Sequence, residues 1–317
     1  MSSEFPSILV LSGGVGGAKF ADGLYQLLPP WKLSVCVNTG DDFELFGLLI
    51  SPDLDTVCYT LAGVANPVTG WGLRSETYNV QKRIEELGGP TWFKLGDKDL
   101  ATHLERTRLL KQGYLLSDFT TRFSQELGIQ ANIYPMTDHE VRTKVNTAEF
   151  GPISFQEYFV DRKFEPKVTG FDFSGIEKAK PARGLVEAIN QADVILIGPS
   201  NPLVSICPIL AISGVRGLLK GKKIIAVSPI VGGKAIKGPL AKMYLELGLE
   251  PLAKTVAENY RGLINGFILD EQDRLQAEEI NQWDIITLVT NTVMKSKQDR
   301  KKLAEEVLAF VKKEITG

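Results

Sequence analysis

The stretch that most constrains this chain is ILVLSGGVGGAK, Ile8 to Lys19. An apolar run from Ile8 to Leu11 enters Ser12, then Gly13, Gly14, Val15, Gly16 and Gly17, and an amphipathic segment from Ala18 to Leu28 follows directly. That order predicts a buried strand, a turn only glycines can make, and a helix whose first amides face back into the turn. Free N–H groups and the positive end of a helix form an anion site, so a phosphate is expected beside Gly13, Gly14, Gly16, Gly17 and Lys19. A tight strand–helix turn serving packing alone is the bland alternative.

The loop nearly fits two nucleotide patterns and satisfies neither. For a dinucleotide fingerprint, Gly14-Val15-Gly16 fits, but Lys19 stands at the third glycine position and Asn38 where a ribose-reading acid belongs. For a Walker A loop, Lys19 lacks the glycine before it and Phe20 replaces Ser or Thr. The two histidines, His103 and His139, are far apart and exclude a histidine-rich zinc site. A net charge of −2 leaves no basic footprint for nucleic acid. Cys36, Cys58 and Cys207 are odd in number and lack CxxC spacing, and read as reduced thiols. No basic leader precedes the first strand, and no run approaches the roughly 18 apolar residues of a membrane span. A soluble, cytoplasmic protein with no membrane partner is expected.

Strand signals recur at Leu33 to Val37, Ala131 to Tyr134, Arg142 to Asn146, Val168 to Phe173, Asp193 to Ile197, Lys223 to Val227, Leu263 to Leu269 and Asp284 to Val289. Helical segments stand between many of them, and a lysine-rich amphipathic helix from Lys297 to Ile315 closes the chain. This alternation predicts an α/β fold: a doubly wound, Rossmann-like, mostly parallel sheet. We read residues 1–317 as one domain. Its core comprises about 1–65 and 129–317, and a largely helical insertion, about 66–128, covers the site. In that insertion the expected helices are Arg74 to Leu87, one opening at Gly96-Asp97, and one capped by Ser117.

The second strand runs into NTGDDFELFGLLISPDLDT, which carries Asp41, Asp42, Asp53 and Asp55. We read it as a loop, with Asp55-Thr56 capping a short helix. Two carboxylates near a phosphate are what Mg²⁺ asks for, although each aspartate alone has an ordinary turn or cap explanation. GPSNP and SPIVGGKAIKGP both follow apolar strands and should share the sheet edge of the glycine loop. Ser200 and Asn201 offer hydroxyl and amide groups there, and Lys234 and Lys237 offer charge. Lys98, between Asp97 and Asp99, could equally pair with its neighbours.

Together these motifs resemble the 2-phospho-L-lactate transferase family of deazaflavin coenzyme F-420 biosynthesis, which includes bacterial phosphoenolpyruvate transferases. The resemblance rests on SGGVGGAKFADGL, VNTGDDFELFGLLISPDLDTVCYTLAG, GWGLRSETY, LGDKDLATHLERTRLL, NIYPMTD, IGPSNPLVSICPIL and VSPIVGGKAIKGP, in that order along nearly the whole chain. It implies Mg²⁺-dependent transfer of a three-carbon phosphoacid from its GDP-activated form to the deazariboflavin Fo, with release of GMP. It further implies that Asp55 and Lys98 bind deazaflavin and that Asp42 and Asp55 hold the metal and serve catalysis. The glycine loop with Ser200, Asn201 and Lys234 would hold the GDP moiety. A homodimer is also implied. Which acid is transferred stays open, with GWGLRSETY and ATHLERT leaning toward enolpyruvyl. The related gluconeogenesis-factor-like proteins, nucleotide-sugar binders without this turnover, carry an ADDGGSSG motif where this chain has NTGDDFELFG.

Overall fold

In the computed structural model, which describes residues 5–315, seven strands form one parallel sheet. In chain order the strands of the protein are β1 Ile8–Ser12, β2 Leu33–Val37, β3 Phe43–Leu45, β4 Leu48–Ile50, β5 Asn132–Pro135, β6 Arg142–Thr147, β7 Gly151–Ser154, β8 Val168–Ser174, β9 Val194–Ile197, β10 Lys223–Val227, β11 Ile230–Val231, β12 Lys234–Ala235, β13 Gly266–Asp270 and β14 Ile286–Thr290. The main sheet runs β14-β13-β10-β9-β1-β2-β5, and every neighbouring pair is parallel. The order reverses between β1 and β9, where crossovers leave to opposite sides and open a crevice at the strands' carboxyl ends. The doubly wound, Rossmann-like α/β fold expected from the alternation is the fold observed.

Why β1 is central follows from its composition. All five residues are buried, with Ile8 and Val10 in the core on one face of the sheet and Leu9 and Leu11 in the core on the other. Alternate side chains project to opposite faces, so a strand apolar at every position suits a sheet covered on both sides. One cover is α1, Gly14–Tyr25, packed between α2, Pro52–Leu61, and the C-terminal helix Lys297–Phe310. Three further helices follow in the first half of the chain: α3 Asn79–Glu86, α4 Asp97–Lys111 and α5 Leu116–Glu126.

Several local readings change. The acidic stretch is a β-hairpin rather than a loop: β3 pairs antiparallel with β4 through Leu45↔Leu48. Phe46 and Gly47 form its two-residue turn at φ +55° and +73°, the left-handed values a tight hairpin requires. Helix α2 begins at Pro52 after Ser51, so Asp55 lies within its first turn and does not cap it. Proline at the first helical position gives up only an N–H that has no partner there anyway. Helix α3 is also shorter than the expected Arg74 to Leu87. Beyond β5, strands β7-β6-β8 form a separate antiparallel sheet: β6 and β8 answer the strand signals at Arg142 to Asn146 and Val168 to Phe173, whereas β7 was not expected. Among the described residues no helix is long and apolar enough to cross a membrane.

The packing of α1 sets a testable constraint. A Cβ on Gly23 would collide with the Arg300 carbonyl oxygen of the C-terminal helix, which a backbone cannot easily yield. Gly23→Ala is expected to lower stability by about 1–3 kcal/mol despite alanine's better helix propensity. Denaturant unfolding reads it, and an unchanged or raised midpoint would show that the two helices can part without cost.

Candidate active site

A cavity of about 650 Å³ opens at the crevice between β1 and β9. Its floor is the glycine loop. Gly13 is extended (φ −154°), Gly14 takes φ +64°, and the helix is already under way at Gly14, so the glycines form its first turn rather than a loop before it. The loop is locked to the end of β9 by Ser200, whose Oγ accepts from Gly13 N at 3.0 Å and donates to Gly13 O at 2.7 Å. A Cβ on Gly16 would strike the Pro199 carbonyl, and one on Gly17 would strike the hydroxyls of Ser12 and Ser200. Gly13, Gly14, Gly16 and Lys19 line the cavity, whereas Gly17 permits packing behind it.

Asn38, which displaced a ribose-reading acid in the sequence, has a different role. Its Nδ2 donates to Asp53 Oδ2 at 3.0 Å, and its Oδ1 accepts from Gly40 N at 2.9 Å. It thereby holds Asp53 against the glycine loop and shapes the turn carrying Asp41. Asp41 and Asp53 are both buried and both line the cavity. Burial pushes the Asp53 carboxyl up to about 6 against bonds from Asn38 and Gly14 that lower it. Burial, with Asp53's charge added, pushes Asp41 well above the usual carboxylate range, and Asp41 Oδ1 has no hydrogen-bond partner.

The expected pair, Asp42 and Asp55, is divided between two cavities. Asp42 turns away from the glycine loop, accepts from Ser51 Oγ at 2.7 Å and lines a separate cavity beside the first. Asp55 sits on another wall of the main cavity and is bonded to Arg106, a fully buried arginine on α4. Burial raises the Asp55 carboxyl and Arg106 opposes the rise, while Asp55 in turn keeps the buried guanidinium charged. Arg106 also donates to Leu49 O at 3.2 Å, and its guanidinium lies 5.0 Å over the Phe119 ring. His103 stands between two carboxylates, with Nδ1 3.7 Å from Asp55 and Nε2 3.6 Å from Asp99, and Tyr59 donates to Asp99 at 2.7 Å. Asp55, Asp99 and His103 lie close enough to share an ion. Yet the ring presents opposite nitrogens to the two acids, and Arg106 already supplies positive charge, so the arrangement is that of a polar chain.

Other expected residues divide in the same way. Lys98 is exposed and lies outside the cavity; its Nζ donates to Ser75 O at 2.8 Å, tying the start of α4 to the preceding loop. Lys234 is exposed on the β11–β12 hairpin and also lies outside, while Lys237 lines the cavity and donates to Thr69 O at 2.7 Å. Lys19 lines it as well, donating to Met294 O at 2.8 Å. Burial lowers both of these lysines, and Lys237 adds to the lowering of Lys19. Asn201 reaches the cavity and also accepts from Leu203 N at 2.9 Å, starting the next helical turn. Trp71, Trp92, Phe93 and Phe159 add an aromatic wall.

A family model described as 2-phospho-L-lactate transferase CofD matches residues 8–316. The chain belongs to that family. A 2-phospho-L-lactate transferase of Methanosarcina mazei is 40% identical over 301 residues, spanning 95% of this chain and 99% of the relative. One of Methanocaldococcus jannaschii is 38% identical, over 96% and 97%. A phosphoenolpyruvate transferase of Streptomyces griseus is 43% identical over 280 residues, 86% of this chain and 88% of that one. Among solved structures, a UPF0052-family protein of Bacillus halodurans superposes with a TM-score of 0.64 at 14% identity, over 97% of this chain and all of that one, a likeness of fold.

Tyr59, Asp99, His103 and Arg106 were not singled out from the sequence as site residues together, although a signal existed. Asp99, His103 and Arg106 fall on one face of α4 at helical spacing, and Asp55 and Tyr59 do so on α2. Arg106→Leu is expected to cost about 3–5 kcal/mol, because it leaves the Asp55 charge buried alone. Asp55→Asn will likewise strand Arg106, so it is expected to lose stability as well as any activity. The double replacement of both by leucine should recover much of the single-variant loss in thermal melts; additive losses would show that the pair is not coupled.

The raised carboxyls carry a pH signature. Asp53 and Asp42 titrate near 6 and 7 in the folded chain against an ordinary 3.8. Over that window the native state holds protons that the unfolded chain has released, so stability falls as pH rises. Melting temperature in chelator-treated buffer is expected to decline from the lower to the upper end of the window, with a shallower decline for Asp53→Asn. A melting temperature that climbs across it would contradict the assignment.

Proposed function

We propose that this chain transfers a three-carbon phosphoacid, 2-phospholactate or enolpyruvyl phosphate, from its GDP-activated form to the ribityl hydroxyl of the deazaflavin Fo, releasing GMP in coenzyme F-420 biosynthesis. The observation that carries the reading is the coincidence, in a chain of this family, of a glycine helix start with two buried carboxylates, Asp41 and Asp53, that among the described residues are bonded by neutral donors and form no ion pair. The glycine loop, the helix end behind it and the ammonium groups of Lys19 and Lys237 favour a diphosphate against the β1–β9 crevice. The aromatic wall suits a flat tricyclic ring, which large π-faces stack against while excluding water.

Asp41 and Asp53 fit a divalent cation, Mg²⁺ in this reading. Two desolvated carboxyls press on one another beside a phosphate loop, and Asp41 Oδ1 has no other partner. The ion would neutralise charge developing on the transferred phosphoryl group. In the transfer, the acceptor oxygen bonds to the β-phosphorus, the phosphorus–oxygen bond to GMP breaks, and the acceptor proton passes to a carboxylate. Asp55 is suited to receive that proton, since its Oδ2 is free of hydrogen bonds and Arg106 fixes its other oxygen. Lys98 would bind deazaflavin only by leaving Ser75. The reading takes the protein to be a cytoplasmic homodimer with small-molecule partners and no nucleic acid.

Purified protein supplied with Fo, Mg²⁺ and each GDP-linked acid in turn is expected to release one GMP per Fo consumed, and chelation should stop release. Asp41→Asn and Asp53→Asn are expected to lose at least about a hundredfold in rate while Asp42→Asn retains more. Absence of GMP from every donor would overturn the transferase reading. Equal losses at all three aspartates would overturn the choice of Asp41 and Asp53.

A further inference from the structure

The site cavity has a neighbour of about 760 Å³ on the other side of Asp41, and Asp41, Trp92, Phe155 and Gln156 line both. One wall of this second cavity is the outer face of β6. Val145 of that strand packs into the core, while Arg142, Thr143 and Lys144 line the cavity. Thr143 N donates to Gly40 O at 2.6 Å, which fixes Arg142 one residue from the turn that carries Asp41. The Arg142 side chain is 23% exposed. Its NH1 donates to its own neighbour's carbonyl, Val141 O, at 2.9 Å, and its NH2 reaches the exposed Glu140 only at 3.9 Å. Most of its five donors remain unspent. Of the acids that line this cavity, Asp138 is bonded to Ser117 and Glu157 to Arg162, while Asp42 accepts from Ser51 through Oδ2, keeps Oδ1 without a hydrogen bond and feels the charge of Arg142. Gln156, buried in the shared wall, has a side-chain amide without a hydrogen bond among the described residues.

Stereochemistry supplies the ligand for this space. In phosphoryl transfer the attacking and leaving oxygens lie roughly in line across phosphorus. The third ester oxygen, which carries the three-carbon acid and stays bonded throughout, must then project sideways from the line joining nucleotide and acceptor. The transferase reading puts nucleotide and acceptor in the cavity of the glycine loop. The sideways exit beside Asp41 is the second cavity. We propose that Arg142, with Gln156, forms the subsite that binds the carboxylate of the transferred acid, and so determines which phosphoacids are accepted. This rests on the transferase reading. A guanidinium fork matches a carboxylate in shape as well as charge, which an ammonium does not.

Calorimetry with GDP and with the GDP-linked acid, on wild type, Arg142→Gln and Gln156→Leu, tests the subsite without turnover. Arg142→Gln is expected to weaken the acid-linked donor by about tenfold to a hundredfold, the loss of a charge-assisted hydrogen bond, and to leave GDP within about twofold. Gln156→Leu should show a smaller loss of the same kind. In GMP release, Arg142→Gln should raise the donor KM far more than it lowers kcat, and Arg142→Lys should restore part of the loss. A GDP-linked ester lacking the carboxylate should be used equally by wild type and Arg142→Gln. The proposal is overturned if GDP and donor weaken together, or if Arg142→Gln keeps the wild-type preference for the carboxylate donor. No GMP from wild type, with the binding difference intact, would instead remove the transferase reading and leave the carboxylate subsite standing.

Discussion

The contact on which this structure depends is the one between the first turn of α1 and the end of β9. Gly16 and Gly17 come so close to Pro199 and Ser200 that neither could carry a side chain in this arrangement. Ser200 completes the joint by exchanging two hydrogen bonds with Gly13. The consequence is geometric. Crossovers diverge from β1 and β9 to opposite faces, and bringing their first turns together opens a crevice at the helix start, where Gly13 N is taken by Ser200 and the Gly14 amide by Asp53. The glycines supply the room, and Ser200 holds the two turns in register. A serine first considered for its value to a ligand thus serves the scaffold as well.

Into that crevice the protein sends more carboxylate than it neutralises. The two ends of the main cavity treat the resulting charge differently. At one end Asp55 receives a permanent countercharge from Arg106, whose guanidinium is held by Leu49 and lies over Phe119. That charge is balanced before any ligand arrives, so Asp55 keeps its place and its free oxygen. At the other end Asp41 and Asp53 have only neutral donors, Asn38 and the Gly14 amide among them, and resist ionisation together. Desolvated carboxyls without a countercharge cost stability, and they persist where something positive is to be bound. The same residue type thus stands in two roles separated by its partners, and partners are a tertiary property.

That distinction explains what could be read in advance. The parallel sheet was legible because buried strands such as Ile8–Ser12 and Val194–Ile197 are apolar at every position or nearly so, and because glycine and proline mark their carboxyl ends. The aspartates were legible as a group. Which of them would face the glycine loop was not, since of the sequence neighbours Asp41 and Asp42 only Asp41 reaches the main cavity. The deciding residue is Asn38, which binds both Asp53 and the amide of Gly40. Read in one dimension it was only a missing acid. The hairpin of Phe43 to Ile50 escaped for a related reason: its turn places a phenylalanine at positive φ, without the asparagine–glycine pair that normally announces such a turn. Lys98 and Lys234 were chosen for charge, but charge on an exposed stem finds the nearest carbonyl or the solvent.

Asp41 also has meaning as a boundary. It lies in the wall between two cavities whose linings differ in kind, one aromatic and apolar around the glycine loop, the other crowded with charged side chains from β6 and its neighbours. On the proposed reading, a flat-ringed acceptor and a nucleotide-linked acid need unlike surroundings for their parts, and all must meet at one phosphorus. Two cavities joined beside a carboxylate at a phosphate loop provide that meeting point. The antiparallel sheet β7-β6-β8, separate from the parallel core, helps make the second cavity: its central strand β6 supplies Arg142 and Lys144 to the lining. On that reading, variation in the transferred acid falls to this added sheet while the glycine loop and the aspartates beneath it stay fixed.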